Sequence, residues 1–385
     1  MNKTLSYVMA GLFLGSACTV ISPLAHAQDG PEIETLSDLS AYQLNVVYFL
    51  GSDREPIEGY QERISELLLF GQEFYGMEMQ RNGFGFRSFG LEQTGPESIN
   101  ILVYKAKNPA ADYPYSNGGG SRAAEEVNAW LDAEPHRRKS QHTLIIFPTL
   151  YDEEYDDSNP GGVPFYGLGR SCCALDYKDF DIKHLGQDSR KGLLLTKWYG
   201  GLLHELGHGL NLPHNHASTS EEESLGTALM GAGNHSFAQR PTFLTEASCA
   251  ILDACEVFSP QKSPRFYQDH VNNLLIDNIS ANYTAAGINL SITYQSDELK
   301  SVIAYVEESP TGVNANYEAV GFVALPEGKS RVQLNLPWEE MAHIQKEDCI
   351  LRVRFVMNDG SYTERQMEFK RDQEGAFDVS NKNQH

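Results

Sequence analysis

Basic charge is scarce in this chain: 30 Lys and Arg stand against 52 Asp and Glu, for a formal net charge of -22. A surface of that sign repels phosphate, which argues against nucleic acid and anionic membranes as partners and favours solubility. Long apolar runs are also missing. After residue 21 no segment approaches the roughly 20 apolar residues of a membrane span. Cysteine is sparse as well, with six in 385 residues and none in a Cys-x-x-Cys pair. That spacing excludes a thioredoxin-like redox site. No cysteine falls between residues 28 and 42, so no propeptide thiol is at hand to occupy a metal.

The N-terminus supplies what the rest lacks. Lys3 precedes an apolar run over residues 5–21, and Leu24-Ala-His-Ala27 ends in a small-x-small pattern. Gly, Ser and Pro interrupt the run, which makes it a secretory signal rather than a span. We expect a signal peptide over 1–27 with cleavage after Ala27, and a secreted or periplasmic product. Loss of Lys3 moves the net charge from -22 to -23. Lipoprotein anchoring at Cys18, in Leu14-Gly-Ser-Ala-Cys18, is the alternative. Cys172, Cys173, Cys249, Cys255 and Cys349 would remain in an oxidising compartment, where disulfides form. Residues 244–258 read as one helix, which would hold Cys249 and Cys255 about 9 Å apart, beyond bridging distance. Each would therefore need a partner elsewhere, for which the neighbours Cys172 and Cys173 are the candidates; the alternative is ordinary buried thiols.

The most informative stretch is His204-Glu-Leu-Gly-His208-Gly-Leu-Asn-Leu-Pro-His214. On a helix, histidines four residues apart share a face and can share a metal. Glu205 then lies beside the metal without binding it, where its carboxylate can take a proton from water and pass it to a leaving amine. A continued helix would carry His214 about 9 Å along the axis, too far to complete a tetrahedron. The chain must turn, and Gly209, Asn211 and Pro213 supply the turn: Asn is the best non-glycine residue at positive φ, and Pro stops the helix. His204, His208 and His214 leave a fourth position open for water, as a catalytic zinc site requires. Alternatives for the third ligand are His216 and Glu246. His235 lies in a Gly-rich loop as a candidate substrate contact, whereas His136, His142, His184, His270, His343 and His385 have no comparable partners in sequence.

This segment resembles the HExxHxxGxxH motif of the metzincin metallopeptidases, with Asn211 at the glycine position. Gly226-Thr-Ala-Leu-Met230-Gly231 is similar to the family's Met-turn, in which a methionine lies beneath the zinc. The resemblance implies a zinc peptidase with His204, His208 and His214 as ligands and Glu205 as general base. Asn215 and Ala232 depart from the residues that several subfamilies carry, so no subfamily is assigned and no tyrosine ligand is expected.

Upstream, residues 44–50 (LNVVYFL), 99–105 (INILVYK) and 143–150 (TLIIFPTL) read as strands, and 57–79 and 121–131 as helices. The order β-α-β-α-β ahead of a buried helix over 193–203 implies an α/β fold with a mixed, mainly parallel sheet. Metzincin catalytic domains share this arrangement. Residues 152–162 read as a solvated acidic loop, with calcium binding by Asp152, Glu153, Glu154, Asp156 and Asp157 as the lesser alternative. The resemblance implies that residues 163–175 form the edge strand beside the substrate cleft, where an extended peptide can pair. After residue 258 the composition shifts, and runs at 290–294, 302–307, 319–325, 332–336, 350–357 and 362–369 read as a small antiparallel β-sandwich. The expected organisation is thus a signal at 1–27, a peptidase domain at 28–262, a linker at 263–286, a sandwich at 287–372 and a polar tail at 373–385.

These readings converge on a secreted zinc endopeptidase that hydrolyses peptide bonds in proteins or glycoproteins by a zinc-activated water. The alternative is a secreted binding or adhesion protein whose C-terminal domain holds glycan or protein, with a peptidase-like domain of little hydrolytic activity.

Overall fold

The computed structural model describes residues 40–150, 161–263, 266–268, 270–309, 317–326, 328, 330–371 and 375–379. All of these belong to one compact unit. Its first layer is a five-stranded mixed sheet in the order Leu102–Lys105, Asn45–Leu50, Thr143–Pro148, Ser171–Asp176, Gly167–Leu168. The first four strands run parallel and the last is antiparallel. Asn45–Leu50, Thr143–Pro148 and Ser171–Asp176 are buried at every residue. That is why they read as unbroken apolar runs: a parallel strand is covered on both faces.

Two long helices, Tyr60–Arg81 and Arg190–Gly209, are tied to each other through backbone carbonyls. The Tyr75 hydroxyl donates to the Leu203 carbonyl at 2.8 Å, and the Tyr199 hydroxyl donates to that of Leu67 at 2.7 Å. At the far end of Tyr60–Arg81's first turns, Arg63 pairs with the fully buried Asp176 at 2.6 Å, and Tyr48 donates to the same carboxylate. These contacts fix the second helix over the sheet.

Two four-stranded antiparallel sheets follow, with orders Arg331–Pro337, Gly287–Gln295, Leu275–Thr284, Gly375–Asp378 and Val320–Ala324, Leu299–Glu308, Asp348–Met357, Tyr362–Lys370. Along Gly287–Gln295, Ile288, Leu290, Ile292 and Tyr294 face a core shared by both sheets, while Asn289 faces out. This is the period-two alternation of a strand buried on one side. Ile303, Tyr305, Ala319 and Val356 also join the core built on the mixed sheet, so the two regions share buried surface.

Several expectations need correction. The stretch 263–286 is not a linker throughout: Leu275–Thr284 is a full strand, whose bulge between Ile276 and Asn278 shifts the apolar phase and hides the alternation. Within the expected tail, Gly375–Asp378 pairs with that strand. Residues 163–175 are not one edge strand. Gly167–Leu168 is the edge, a turn at Gly169 (φ +61°) reverses the chain, and Ser171–Asp176 lies inside the sheet. Residues 244–258 are not one helix; Glu246–Leu252 is α-helical and Glu256–Phe258 is a separate 3-10 turn, with Cys255 extended between them.

The expected disulfides are absent as well. Cys172, Cys173, Cys249, Cys255 and Cys349 are all buried free thiols. Their sulfurs have different surroundings: Cys249 meets Asn82 at 3.2 Å, Cys255 meets His142 at 3.6 Å, and Cys349 meets the Lys346 carbonyl at 3.5 Å. Burial pushes the Cys255 thiol up to about 12, so it stays protonated and unreactive at neutral pH. The candidate calcium residues Asp152, Glu153, Glu154, Asp156 and Asp157, together with Cys18 and Ala27, lie outside the described residues. Among the described residues, no helix is long and apolar enough to cross a membrane.

Candidate active site

Ser189 caps the helix Arg190–Gly209, its hydroxyl accepting from the Gly192 N–H at 3.1 Å. His204 and His208 follow four residues apart near its C-terminus, with ring centroids 4.8 Å apart. The helix then stops. Leu212 N–H bonds the Gly207 carbonyl at 2.9 Å, and Asn211 adopts φ 74°, the left-handed region that the sequence demanded there. Asn211 also does what glycine could not: its side-chain amide donates to the Tyr267 hydroxyl at 3.1 Å. That hydroxyl in turn meets His142 Nε2 at 2.7 Å, and His142 Nδ1–H donates to the Gly209 carbonyl at 2.7 Å. A His142–Tyr267–Asn211 chain, anchored on the fully buried His142, therefore holds the turn.

The turn returns His214 to the helix. His208 Nε2 and His214 Nε2 are 3.0 Å apart, and one ring nitrogen from each of His204, His208 and His214 lies within 4.8 Å of the others. His204 Nδ1–H donates to the Leu229 carbonyl at 2.7 Å and His208 Nδ1–H to the Leu212 carbonyl at 2.8 Å. Each Nε2 is thereby left as the lone-pair nitrogen, which is the usual outer arrangement of a metal-binding imidazole. Burial, with the neighbouring imidazoles adding to it, pushes His204 down to about 4 and His214 to about 3. Neutral imidazole is the ligating form. Two nitrogens at zinc-ligand distance span a tetrahedral edge of about 3.3 Å, close to the 3.0 Å between His208 and His214. The donor set therefore fits a zinc ion with three protein ligands.

Glu205 faces the edge strand. Burial pushes its carboxyl up to about 8, and a bond from the Gly167 backbone N–H opposes that rise. Gly167 can be only glycine here, because a Cβ would lie 2.4 Å from Cβ of His208. Met230 is fully buried, and a Cβ on Gly207 would meet its sulfur at 2.4 Å. The methionine thus packs against the helix directly beneath the histidines. Asn215, fully buried, links three pieces: its backbone N–H reaches the Met230 carbonyl at 3.3 Å, its amide donates to Ser248 at 2.9 Å, and its oxygen accepts from Thr245 at 3.1 Å.

The alternative ligands fall elsewhere. His216 stacks on His343 and is not part of the three-histidine group. Glu246 opens the helix Glu246–Leu252, within electrostatic range of Glu221. His235 sits on the 3-10 turn Gly233–Ser236, close enough for its charge to act on His204.

Sequence reading missed Tyr317. It precedes the strand Val320–Ala324 of the antiparallel sheets, yet its ring stacks on His214 with centroids 3.7 Å apart and planes at 24°. Glu205 acts on its hydroxyl electrostatically. No local motif announces this residue, since only the packing of the two regions brings it to the site.

No family model matches the chain, and no curated protein sequence does. Solved structures do. Wild-type OgpA from Akkermansia muciniphila in one crystal form is 49% identical, covering 88% of this chain and 96% of that one with a TM-score of 0.84. In a second crystal form the identity is 47%, the coverage 90% and 99%, and the TM-score 0.82. A catalytically inactive OgpA in complex with an O-glycopeptide substrate, glycodrosocin, is 48% identical over the same 88% and 96%, with a TM-score of 0.84. Identity near one half along almost the whole of both chains is far more than a shared fold requires, and the chain belongs to the same family as OgpA.

Proposed function

We propose that this chain is a zinc-dependent endopeptidase of metzincin type that hydrolyses O-glycosylated peptides. The observation that carries the reading is the convergence of three neutral imidazoles beside an acid that, among the described residues, has no cationic side chain to neutralise it, in a chain of the OgpA family. His204, His208 and His214 would hold the ion. When bound, zinc supplies a Lewis acid for the scissile carbonyl and acidifies water.

The residues of the chain do the rest. Glu205, oriented by the Gly167 N–H, takes a proton from the attacking water and returns it to the departing amine. One carboxylate beside the open metal position can serve both halves of that exchange. Gly167–Leu168 ends the sheet immediately beside Glu205, where an extended peptide can add as a further strand. Asn211, Tyr267 and His142 keep His214 on station through the turn. We further propose export, with a signal ending at Ala27, on the strength of Lys3, the apolar run over residues 5–21 and the small-x-small pattern that ends at Ala27.

The test is a paired digest. The purified chain should cleave an O-glycopeptide, lose that activity to a chelator and regain it with zinc, while the same peptide without its glycan is cut far more slowly. Equal cleavage of both peptides would remove the glycan from the reading. No cleavage of either by the zinc-loaded chain would favour the binding-protein alternative.

A further inference from the structure

A second cluster of metal-ligating side chains stands beside the first. His216 follows the strap that carries His214, and its backbone N–H bonds the Ala319 carbonyl at 2.7 Å, so the strap is joined to the start of the strand Val320–Ala324. Its imidazole stacks on His343 with centroids 4.0 Å apart and planes at 26°. His343 follows the 3-10 turn Trp338–Met341, and its Nε2 lies 3.8 Å from a carboxylate oxygen of Glu318. One ligand atom from each of His216, Glu318 and His343 falls within 4.8 Å of the others.

The hydrogen bonds around the cluster resemble those around the first. His216 Nδ1–H donates to the Ala217 carbonyl at 2.8 Å, which leaves Nε2 as the lone-pair nitrogen. His343 Nε2 lies 2.9 Å from the Glu318 carbonyl, so the backbone as well as the side chain of Glu318 faces this imidazole. Fixing one ring nitrogen on a carbonyl selects the tautomer that a ligating histidine needs. Glu222, on the short helix Thr219–Leu225, adds a second carboxylate within electrostatic range of His343. Glu318 is exposed and both imidazoles are half-buried, so an ion has a path in from solvent.

We propose that His216, Glu318 and His343 form a second, non-catalytic site for a divalent cation of the zinc class. Two imidazoles and one carboxylate select a borderline first-row ion over calcium or magnesium, which require mostly oxygen ligands. The bound ion clamps three segments: the strap two residues beyond His214, the loop one residue beyond Tyr317, and the turn after Trp338–Met341. The first two adjoin residues of the three-histidine cluster, His214 and the Tyr317 that stacks on it, so occupancy would stiffen one wall of the active site without taking part in the reaction.

The experiment is a metal count. Full-length protein is depleted with a chelator, titrated with Zn2+, and its bound equivalents are measured by elemental mass spectrometry after desalting and by calorimetry. The expected result is two equivalents for the wild type and one each for His343→Ala and Glu318→Gln. The second variant alters only an exposed side chain and so guards against loss of folding in the first. A single equivalent in the wild type, or two equivalents persisting in both variants, overturns the proposal. His204→Ala separates the two sites: it should also bind one equivalent, and a count unchanged from the wild type would instead undo the catalytic assignment.

Discussion

Glu205 lies on the helix that covers the mixed sheet, and Glu364 lies on the outer antiparallel strand Tyr362–Lys370. Both carboxylates are drawn out of water, which raises the pKa of each, but only one is compensated. Arg354 and Arg352 stand 2.7 and 3.1 Å from Glu364, outweigh its burial and hold it below the usual carboxylate range. Among the described residues Glu205 has no such partner; burial dominates and pushes it up to about 8. A buried acid neutralised by arginine is part of the framework, whereas one left without a cation and set beside a cluster of histidines is poised for chemistry.

The largest effect should come from removing the poised carboxylate. Glu205→Gln is expected to lower kcat by about 10³ to 10⁴-fold with zinc content unchanged and thermal stability equal to or above that of the wild type. Single-turnover cleavage of an O-glycopeptide and metal analysis check it. A variant retaining a tenth of the activity would show that the comparison had misread Glu205.

His142 sharpens the comparison, because it is strongly perturbed within the same region yet serves structure. Burial pushes it down to about 4 from an ordinary 6.5, despite the bond to the Gly209 carbonyl. The folded protein then binds fewer protons than the unfolded chain between those values. Stability is therefore full above pH 6.5 and falls as the pH drops toward 4, by about 3 kcal/mol from this one group. Denaturant melts of the metal-depleted protein at stepped pH should show this fall, and His142→Gln should flatten it. An unchanged slope would mean that other buried groups carry the acid sensitivity.

On the antiparallel side, Glu364→Ala should destabilise the fold by about 2 kcal/mol, less than for a fully buried pair because part of Glu364 reaches solvent. Its kcat on the O-glycopeptide should not move. Melting curves and initial rates test the two halves of that statement together.

What the sequence discloses follows the same division. The HExxH helix, the turn at Asn211 and the returning His214 are legible because the atoms that converge are close along the chain, so local geometry dictates their meeting. The buried strands of the mixed sheet are legible for the related reason that burial on both faces leaves an unbroken apolar run. The strand Leu275–Thr284 is not, since one bulged residue shifts its phase. Nor is the state of the cysteines: the expected pairing rested on a helix over 244–258 that breaks before Cys255. Gly167 over Glu205 and Tyr317 over His214 are joined only by tertiary packing, and neither carries a local signature.

Tyr317 is where the comparison is most exposed, because it belongs to the antiparallel region and yet touches the three-histidine cluster. Its ring covers one face of His214 at 3.7 Å, which restrains that imidazole and keeps water from it. Support of this kind is worth about 10-fold in metal affinity or turnover at the lower end of its range. Tyr317→Ala should therefore weaken zinc retention against a competing chelator by about that factor and lower kcat with it, whereas Tyr317→Phe keeps the ring and should retain zinc as the wild type does. If the phenylalanine variant holds zinc normally but loses turnover like the alanine variant, the hydroxyl acts on the reacting group. The antiparallel sheets would then supply part of the chemistry, and the division between framework and site would run through Tyr317 itself.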